Sequence, residues 1–488
     1  MSDVTAQQQR SRLDRFFRIS ERGSTVGREV RGGLVTFVTM GYIIVLNPLI
    51  LGSYSADDPG AAKDATGAIL PVDQVTAVTA LVAGVMTILM GIVANYPFAI
   101  AAGLGINTLV AVSIAPQMTW PAAMGLVVVN GIVVMLLVVT GVRTMVFNAV
   151  PQHLKASIAV GIGLFIALVG LVDAGFVRRV PDAAGTTVPV QLGIDGSIAS
   201  WPTFVFVVTL ILMGVLVAKG VKGAILIGVL GGTVLSIVIE AIVKAGPSQG
   251  VDPKGWNLGY PALPDSVFDL PDLSLVGAFN FDAWVQVPAI TAALLVFTLV
   301  LTDFFDTIGT MTGLGHEARL VDEKGRLPNV GKGLFIDSAS AIAGGAASAS
   351  SNTIFVESAS GIGEGARTGL ANVVTGLLFL AAMFFTPLYQ AVPIEAAAAA
   401  LVVVGAMMVR QIAEIDFKDF SVALPAFLTI VVMPFTYSIS NGIGAGFISY
   451  VLIQTVTGKA RQVHPLMWVT SAAFVVYFAI EPIQQVIG

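Results

Sequence analysis

Apolar residues in this chain come in long runs separated by brief polar punctuation, and the runs recur from residue 33 almost to the last residue. A helix needs about 20 apolar residues to cross a bilayer, and fewer where it is broken against other protein. On that rule spans are predicted at 33–52, 75–95, 98–115, 122–141, 155–175, 203–219, 222–244, 289–314, 333–348, 353–366, 368–388, 393–412, 419–437 and 440–457. A further apolar stretch, MWVTSAAFVVYFAIEPI, follows at 467–483. The long loop 245–288 divides the fourteen spans into seven and seven. Seven is odd, so the second set lies upside down relative to the first. Inverted repeats of this kind are a transporter architecture with a site at their interface near the midplane.

Two segments interrupt the runs at corresponding places. Span 3 opens with FAIAAGLGINTLVA, and span 10 with SSNTIFVESASGIGEGARTG. Gly103 and Gly105 in one, and Gly361, Gly363 and Gly365 in the other, each cost a helix about 1 kcal/mol relative to Ala. TIFVE is β-branched and aromatic, so it reads as strand rather than helix. Extended backbone at membrane depth survives only where it pairs with protein or lines a cavity. The two segments are therefore expected to pair, leaving two half-helix N-termini directed at a pocket.

Composition agrees with this picture. Of 488 residues 56% are hydrophobic and 11% charged, against about 25% charged in a soluble domain. The class is an all-α polytopic membrane protein. Cys 0 excludes disulfides, thiolate metal sites and cysteine nucleophiles. The net charge of −5 decides little; its placement decides more. No cleaved signal is read in the polar N-terminus. Arg10, Arg12, Arg15, Arg18, Arg22, Arg28 and Arg31 place that end in the cytoplasm by the positive-inside rule. Arg143, Lys155, Lys219, Lys222, Arg319, Lys324, Arg326, Lys332, Arg410, Lys418, Lys459 and Arg461 then fall on the same side, with Arg178 and Arg179 as exceptions. The loop 245–288, with Asp252, Asp265, Asp269, Asp272 and Asp282, falls outside.

An ionisable group at bilayer depth costs several kcal/mol, so each needs a reason. TDFFDTIGTMTG puts Asp303 and Asp306 one helical turn apart at the end of span 8. Asp303 has either a hidden basic partner, of which these spans offer none that is obvious, or a ligand. Asp306 reads equally as a cap or serine partner and as a functional acid. Asp337, in GLFIDSASAIAGG, is either an N-cap or functional. Glu357 sits on the broken span 10 and can cap the half-helix that follows or face a ligand. Carboxylates in a cavity can accept hydrogen bonds from an N–H-rich neutral solute and can also bind a proton. Phe355, two residues earlier, shares the side of Glu357 if the segment is extended, where its ring would stack or simply pack. Asn107 would bond backbone freed by the break, and Asn47–Pro48 reads as a structural kink. GIGEGARTG lacks phosphate-loop spacing, and His153, His316 and His464 fall in loops with no metal-ligand spacing.

TDFFDTIGTMTG, GLGIN and DSASAIAGGAASASSNTIFVESASGIGEG resemble the nucleobase–cation symporter 2 superfamily, specifically its AzgA-like hypoxanthine, guanine and adenine permeases, over about residues 20–460. The resemblance implies a uracil-permease-like fold of fourteen helices in a 7+7 inverted repeat, with short antiparallel strands in spans 3 and 10. It implies a cytoplasmic segment 1–32, a core domain in two parts (33–145, spans 1–4; 289–390, spans 8–11) and a gate in two parts (146–245, spans 5–7; 391–460, spans 12–14). Residues 246–288 become an extracellular loop, and 461–488 an apolar C-terminal segment that the fourteen-span count does not absorb. Asp303 looks like the family's substrate-binding acid, and Glu357 like the tenth-span acid that contacts the base and couples the proton. Asn107, Gly105 and Phe355 would line the site; Asp306, Asp337 and Ser358 would support it. A purine:proton symporter of the inner membrane is implied, not an enzyme, with no cofactor, metal or nucleic acid and with homodimerisation expected from the fold. Two other readings are weaker. An anion carrier or channel of this fold typically has a basic or neutral residue where Glu357 stands. An intramembrane aspartyl enzyme needs its two acids on separate helices, and a prenyl-transfer enzyme would need basic residues beside a diphosphate-bound metal.

Overall fold

The computed structural model describes residues 11–53, 55–56, 61–141, 150–179, 190–248, 254–257, 261–263, 266–321 and 327–479. Arg10, Arg143, Asp252, Asp265, Lys324 and Arg326 lie outside them, as do the side chains of Asp306 and His316. Among the described residues, eight helices are long and apolar enough to cross a membrane, and shorter apolar helices include Leu104–Gln117, Ala289–Phe304 and Phe420–Phe435. Each of the fourteen expected spans meets a helix, or a strand followed by a helix. The chain is a multi-pass membrane protein of the expected class.

Span 1 begins earlier than its apolar run. The helix starts at Val26 because Thr25 accepts a hydrogen bond from the Arg28 N–H and so caps it. Gly32 and Gly33 belong to the helix as contact points. A Cβ at Gly32 would lie 2.6 Å from the Ala366 Cβ, and one at Gly33 only 2.5 Å from the Ala371 carbonyl. Without water to drive association, helices in lipid pack through such small residues.

The same device recurs along whole crossings. A Cβ at Gly84 would meet the Gly376 carbonyl at 2.9 Å, and one at Gly369 the Gly91 carbonyl at 1.8 Å. Positions 84 and 91, and 369 and 376, are each seven residues apart, so spans 2 and 11 touch twice, two turns apart. Spans 5 and 12 repeat the arrangement. A Cβ at Gly163 would meet the Gly405 carbonyl at 2.8 Å, and one at Gly170 the Ala398 carbonyl at 2.7 Å.

Packing neighbours follow from these crossings. Span 4 packs on span 9, span 2 on span 11, spans 1 and 8 on span 10, and span 8 on span 4. Span 5 packs on spans 12 and 13, span 12 on spans 6 and 7, and span 13 on span 14. Within the described part of the C-terminal apolar stretch, Pro465–Phe478 form a helix about 21 Å long at 1.5 Å per residue; residues 480–483 of that stretch lie outside the described residues. It packs on spans 14 and 8. The Phe474 ring lies 5.7 Å from Phe297 and 6.1 Å from Phe447.

On the side of the 52–71 loop, Asp64 organises the backbone. Its Oδ1 accepts from the Thr66 and Ala68 N–H groups at 2.8 and 2.9 Å and from the Thr66 hydroxyl at 2.7 Å. Its Oδ2 accepts from the Trp120 N–H at 3.0 Å, pinning the loop to the first turn of span 4.

Candidate functional site

The interrupted segments meet. Residues Ile100–Ala102 of span 3 and Asn352–Ile354 of span 10 form an antiparallel pair, with Ile100 opposite Ile354 and Ala102 opposite Asn352. Backbone polar groups around the span 3 strand find partners, as burial in a membrane demands. The Phe355 N–H donates to the Ala99 carbonyl and the Gly103 N–H to the Ser351 carbonyl, both at 2.9 Å. The Thr87 hydroxyl bridges the N–H and C=O of Ile100 at 2.9 Å each. Asn372 donates to the Phe98 carbonyl at 2.7 Å, and the Ala99 N–H donates to the Ser358 hydroxyl at 2.9 Å. Ser358, expected as a support, thus ties the start of the span 10 half-helix to span 3.

The strand is shorter than TIFVE. It ends at Ile354, and Glu357 is helical in backbone, at φ −60° and ψ −17°. The alternation that would put Phe355 and Glu357 on one side therefore does not apply. Phe355 is buried in the apolar core. Glu357 occupies the N-cap position of the half-helix Ser358–Gly363 but makes no capping bond with its side chain. Instead the Tyr42 hydroxyl of span 1 donates to its Oε1 at 2.5 Å.

Asp303, 1% exposed, sits at the other end of the same strand. Its Oδ2 accepts from the Asn130 amide of span 4 at 2.9 Å and from the Ser351 hydroxyl at 3.1 Å. Both donors are neutral. One turn further along span 8, the Thr307 hydroxyl donates to Asp337 Oδ2 at 2.9 Å and lies 3.1 Å from the Thr353 hydroxyl. Asp337 is not a helix cap: it lies well inside the helix Val330–Ala346, whose N-cap is Asn329. The Ser340 hydroxyl, on the next turn, donates to the Asn352 carbonyl at 3.0 Å. Spans 8 and 9 are thereby stitched to the strand from below.

Asn107 donates to Asn47 Oδ1 at 2.5 Å, and Asn47 donates to the Thr79 hydroxyl at 2.7 Å and the Ala349 carbonyl at 3.1 Å. The residue read as a kink is the hub joining spans 1, 2 and 3 to the turn before span 10. Asn107 Oδ1 is fully buried with no hydrogen-bond partner among the described residues. Gly105 marks a close approach to span 5, since a Cβ there would fall 2.9 Å from the Ile162 side chain.

Sequence reasoning found the acids and missed their donors, Tyr42, Asn130 and Ser351. Asn130 did leave a signal: an amide inside VVVNGIVV costs free energy in hydrocarbon unless it bonds something.

The model of the Permease family (Xan_ur_permease) matches residues 27–445. A guanine/hypoxanthine permease of Bacillus subtilis (strain 168), PbuG, is 37% identical over 470 residues, covering 95% of this chain and 98% of its own length. An adenine permease of Escherichia coli (strain K12), AdeP, is 32% identical over 472 residues, covering 95% of each. Among solved structures, the transmembrane domain of a cyanobacterium bicarbonate transporter, BicA, superposes with a TM-score of 0.55 at 16% identity, covering 86% of this chain and 96% of that one. At that identity the likeness concerns the fold.

Proposed function

Because the chain belongs to the nucleobase–cation symporter 2 family, whose members are permeases and not enzymes, we propose that it imports purine bases, hypoxanthine, guanine or adenine, together with protons across the inner membrane by alternating access. The observation that carries this reading is the strand of span 10, which has a carboxylate at each end, Asp303 held through Ser351 and Glu357 held through Tyr42. A carboxylate offers about four acceptor positions. Asp303 Oδ2 accepts from the neutral donors Asn130 and Ser351, which orient the group. The ring N–H and exocyclic N–H groups of a purine are the complementary donors. Glu357, bonded to a phenol rather than to a cation, is the group that takes up and releases the proton, with Asp303 sharing in the coupling. Asn107, Gly105 and Phe355 complete the site, and Asp306, Asp337 and Ser358 support it.

In this reading spans 1–4 and 8–11 move as a core against a gate of spans 5–7 and 12–14. The packing supports the division, since spans 2, 4 and 11 have their main partners inside one set and spans 5, 6, 7, 12 and 13 inside the other. The N-terminus is cytoplasmic and the protein is a homodimer. The test is uptake of radiolabelled hypoxanthine into proteoliposomes under a proton gradient. Asp303→Ala and Glu357→Gln should each abolish uptake while the protein still folds; gradient-driven uptake by either at the normal rate overturns the assignment.

A further inference from the structure

The motif GIGEGARTG, which lacks phosphate-loop spacing, ends the half-helix that begins beside Glu357. Its acid, Glu364, is the C-cap residue of that helix. The turn behind it is rigid. Gly365 is at φ +100°, the Ala366 N–H donates to the Gly361 carbonyl at 3.2 Å, and the Ser24 hydroxyl donates to the Gly365 carbonyl at 2.9 Å. Glu364 is therefore fixed to spans 1 and 10.

Its side chain reaches two cations that belong to different sets of spans. Glu364 Oε2 pairs with Arg31 Nε of span 1 at 2.8 Å, and Arg31 also donates to the Glu364 carbonyl at 3.1 Å. Glu364 Oε1 pairs with Lys222 Nζ. Lys222 stands on the five-residue link between the span 6 helix, which ends at Ala218, and the span 7 helix, which starts at Ala224. That link is tight, with Gly220 at φ +67° and Gly223 at φ +72°. It also presses on span 1, where a Cβ at Gly223 would fall 2.6 Å from Val38 Cγ1. The carboxylate of Glu364 is only partly accessible, at 18%, while Arg31 and Lys222 reach it from the solvent side.

We propose that Lys222 and Glu364 form an ionic latch between the two sets of spans, which closes the molecule on the side of the N-terminal segment and must release before the sets can move. This rests on the alternating-access reading above. Arg31 and Lys222 converge on one acid, so losing that acid leaves two cations facing each other and drives the surfaces apart. The half-helix Ser358–Gly363 is about 9 Å long at 1.5 Å per residue. It carries the Glu357 position at its start and the latch at its end, so a shift of one end moves the other.

The cysteine-free sequence makes the test direct. In the Lys222→Cys/Glu364→Cys variant, a short bis-methanethiosulfonate cross-linker, whose spacer replaces the reach of the Lys and Glu side chains that a direct disulfide cannot span, should join the two thiols in membranes, whereas each single variant gains no internal cross-link. The cross-linked protein should retain the rise in melting temperature on adding hypoxanthine but lose at least about tenfold in uptake, recovered on reduction. Absence of the cross-link, or undiminished uptake by fully cross-linked protein, overturns the latch. Cross-linking needs no solute. It therefore judges the contact even if purines are neither bound nor carried by the reduced protein, the result that sinks the purine reading instead.

Discussion

Neutral side chains donate to the acids of this site, Asn130 and Ser351 to Asp303 and Tyr42 to Glu357, so their energetics can be tested one hydrogen bond at a time. A bond to a charged group contributes about 1.5–3 kcal/mol, or about tenfold to 100-fold in affinity. Tyr42→Phe removes the phenol that donates to Glu357 Oε1, and hypoxanthine affinity should fall within that range. Glu357→Gln should fall further, and the double variant should be no weaker than Glu357→Gln, because the two act as one unit; additive losses measured by calorimetry would show that they do not. Outside the membrane, Asp64 offers a pH test. Burial raises its carboxyl, but hydrogen bonds from Thr66, Trp120 and Ala68 outweigh burial and hold it below the ordinary value. A depressed folded value means the stabilisation is present above about pH 4, the ordinary carboxylate range, and is lost as pH falls through the lower folded value. Wild type should therefore lose melting temperature in acid more steeply than Asp64→Asn, which starts lower at neutral pH and stays flatter; parallel curves would show that Asp64 contributes nothing. The intramembrane acids were legible in the sequence because their placement is costly. Their donors were not, because a Tyr or Ser at the margin of an apolar run costs too little to stand out.

At the scale of elements, hydropathy revealed the fourteen spans but not where span 1 begins. Its apolar run starts at residue 33, whereas the helix starts at Val26 and carries Gly32 and Gly33 as a contact surface. Periodicity along one helix carries no information about which partner backbone passes close by, and that partner alone decides whether a glycine breaks or packs. The strand TIFVE was likewise legible in type and not in extent. Its pairing stops at Ile354, opposite Ile100, and by Glu357 the backbone is already helical at the start of the half-helix Ser358–Gly363, a turn that β-propensity alone does not reveal. Two glycines separate these roles by experiment. At Gly369 a side chain would collide with the Gly91 backbone, whereas Gly363 faces open space. Gly369→Leu should cost about 3 kcal/mol or more, since overpacking against backbone cannot relax, and should lower the melting temperature in detergent. Gly363→Ala should leave it unchanged or raise it, because the position is helical and the Gly penalty is about 1 kcal/mol. Equal effects would contradict the crossing described for spans 2 and 11.

At the scale of the molecule, charge placement predicts orientation, and single cysteines in the cysteine-free chain can read it. Arg12→Cys and Ser197→Cys are both at exposed positions, on opposite sides by the positive-inside count. An impermeant maleimide should label Ser197→Cys in intact cells and Arg12→Cys only after lysis; the reverse pattern would invert the topology. The helix Pro465–Phe478 was visible as an apolar stretch, but its location against spans 14 and 8 was not, because it has no counterpart in the 7+7 repeat. One consequence reaches past this chain. In the joined strands of spans 3 and 10, the Phe98 carbonyl, both main-chain groups of Ala99 and Ile100, and the Gly103 N–H are spoken for by neighbouring protein. On the proposed function, recognition then falls to a handful of side chains mounted on a fixed chassis. Exchanging those few groups changes the cargo without rebuilding the carrier, which is how one architecture can diversify across solutes while its skeleton stays put.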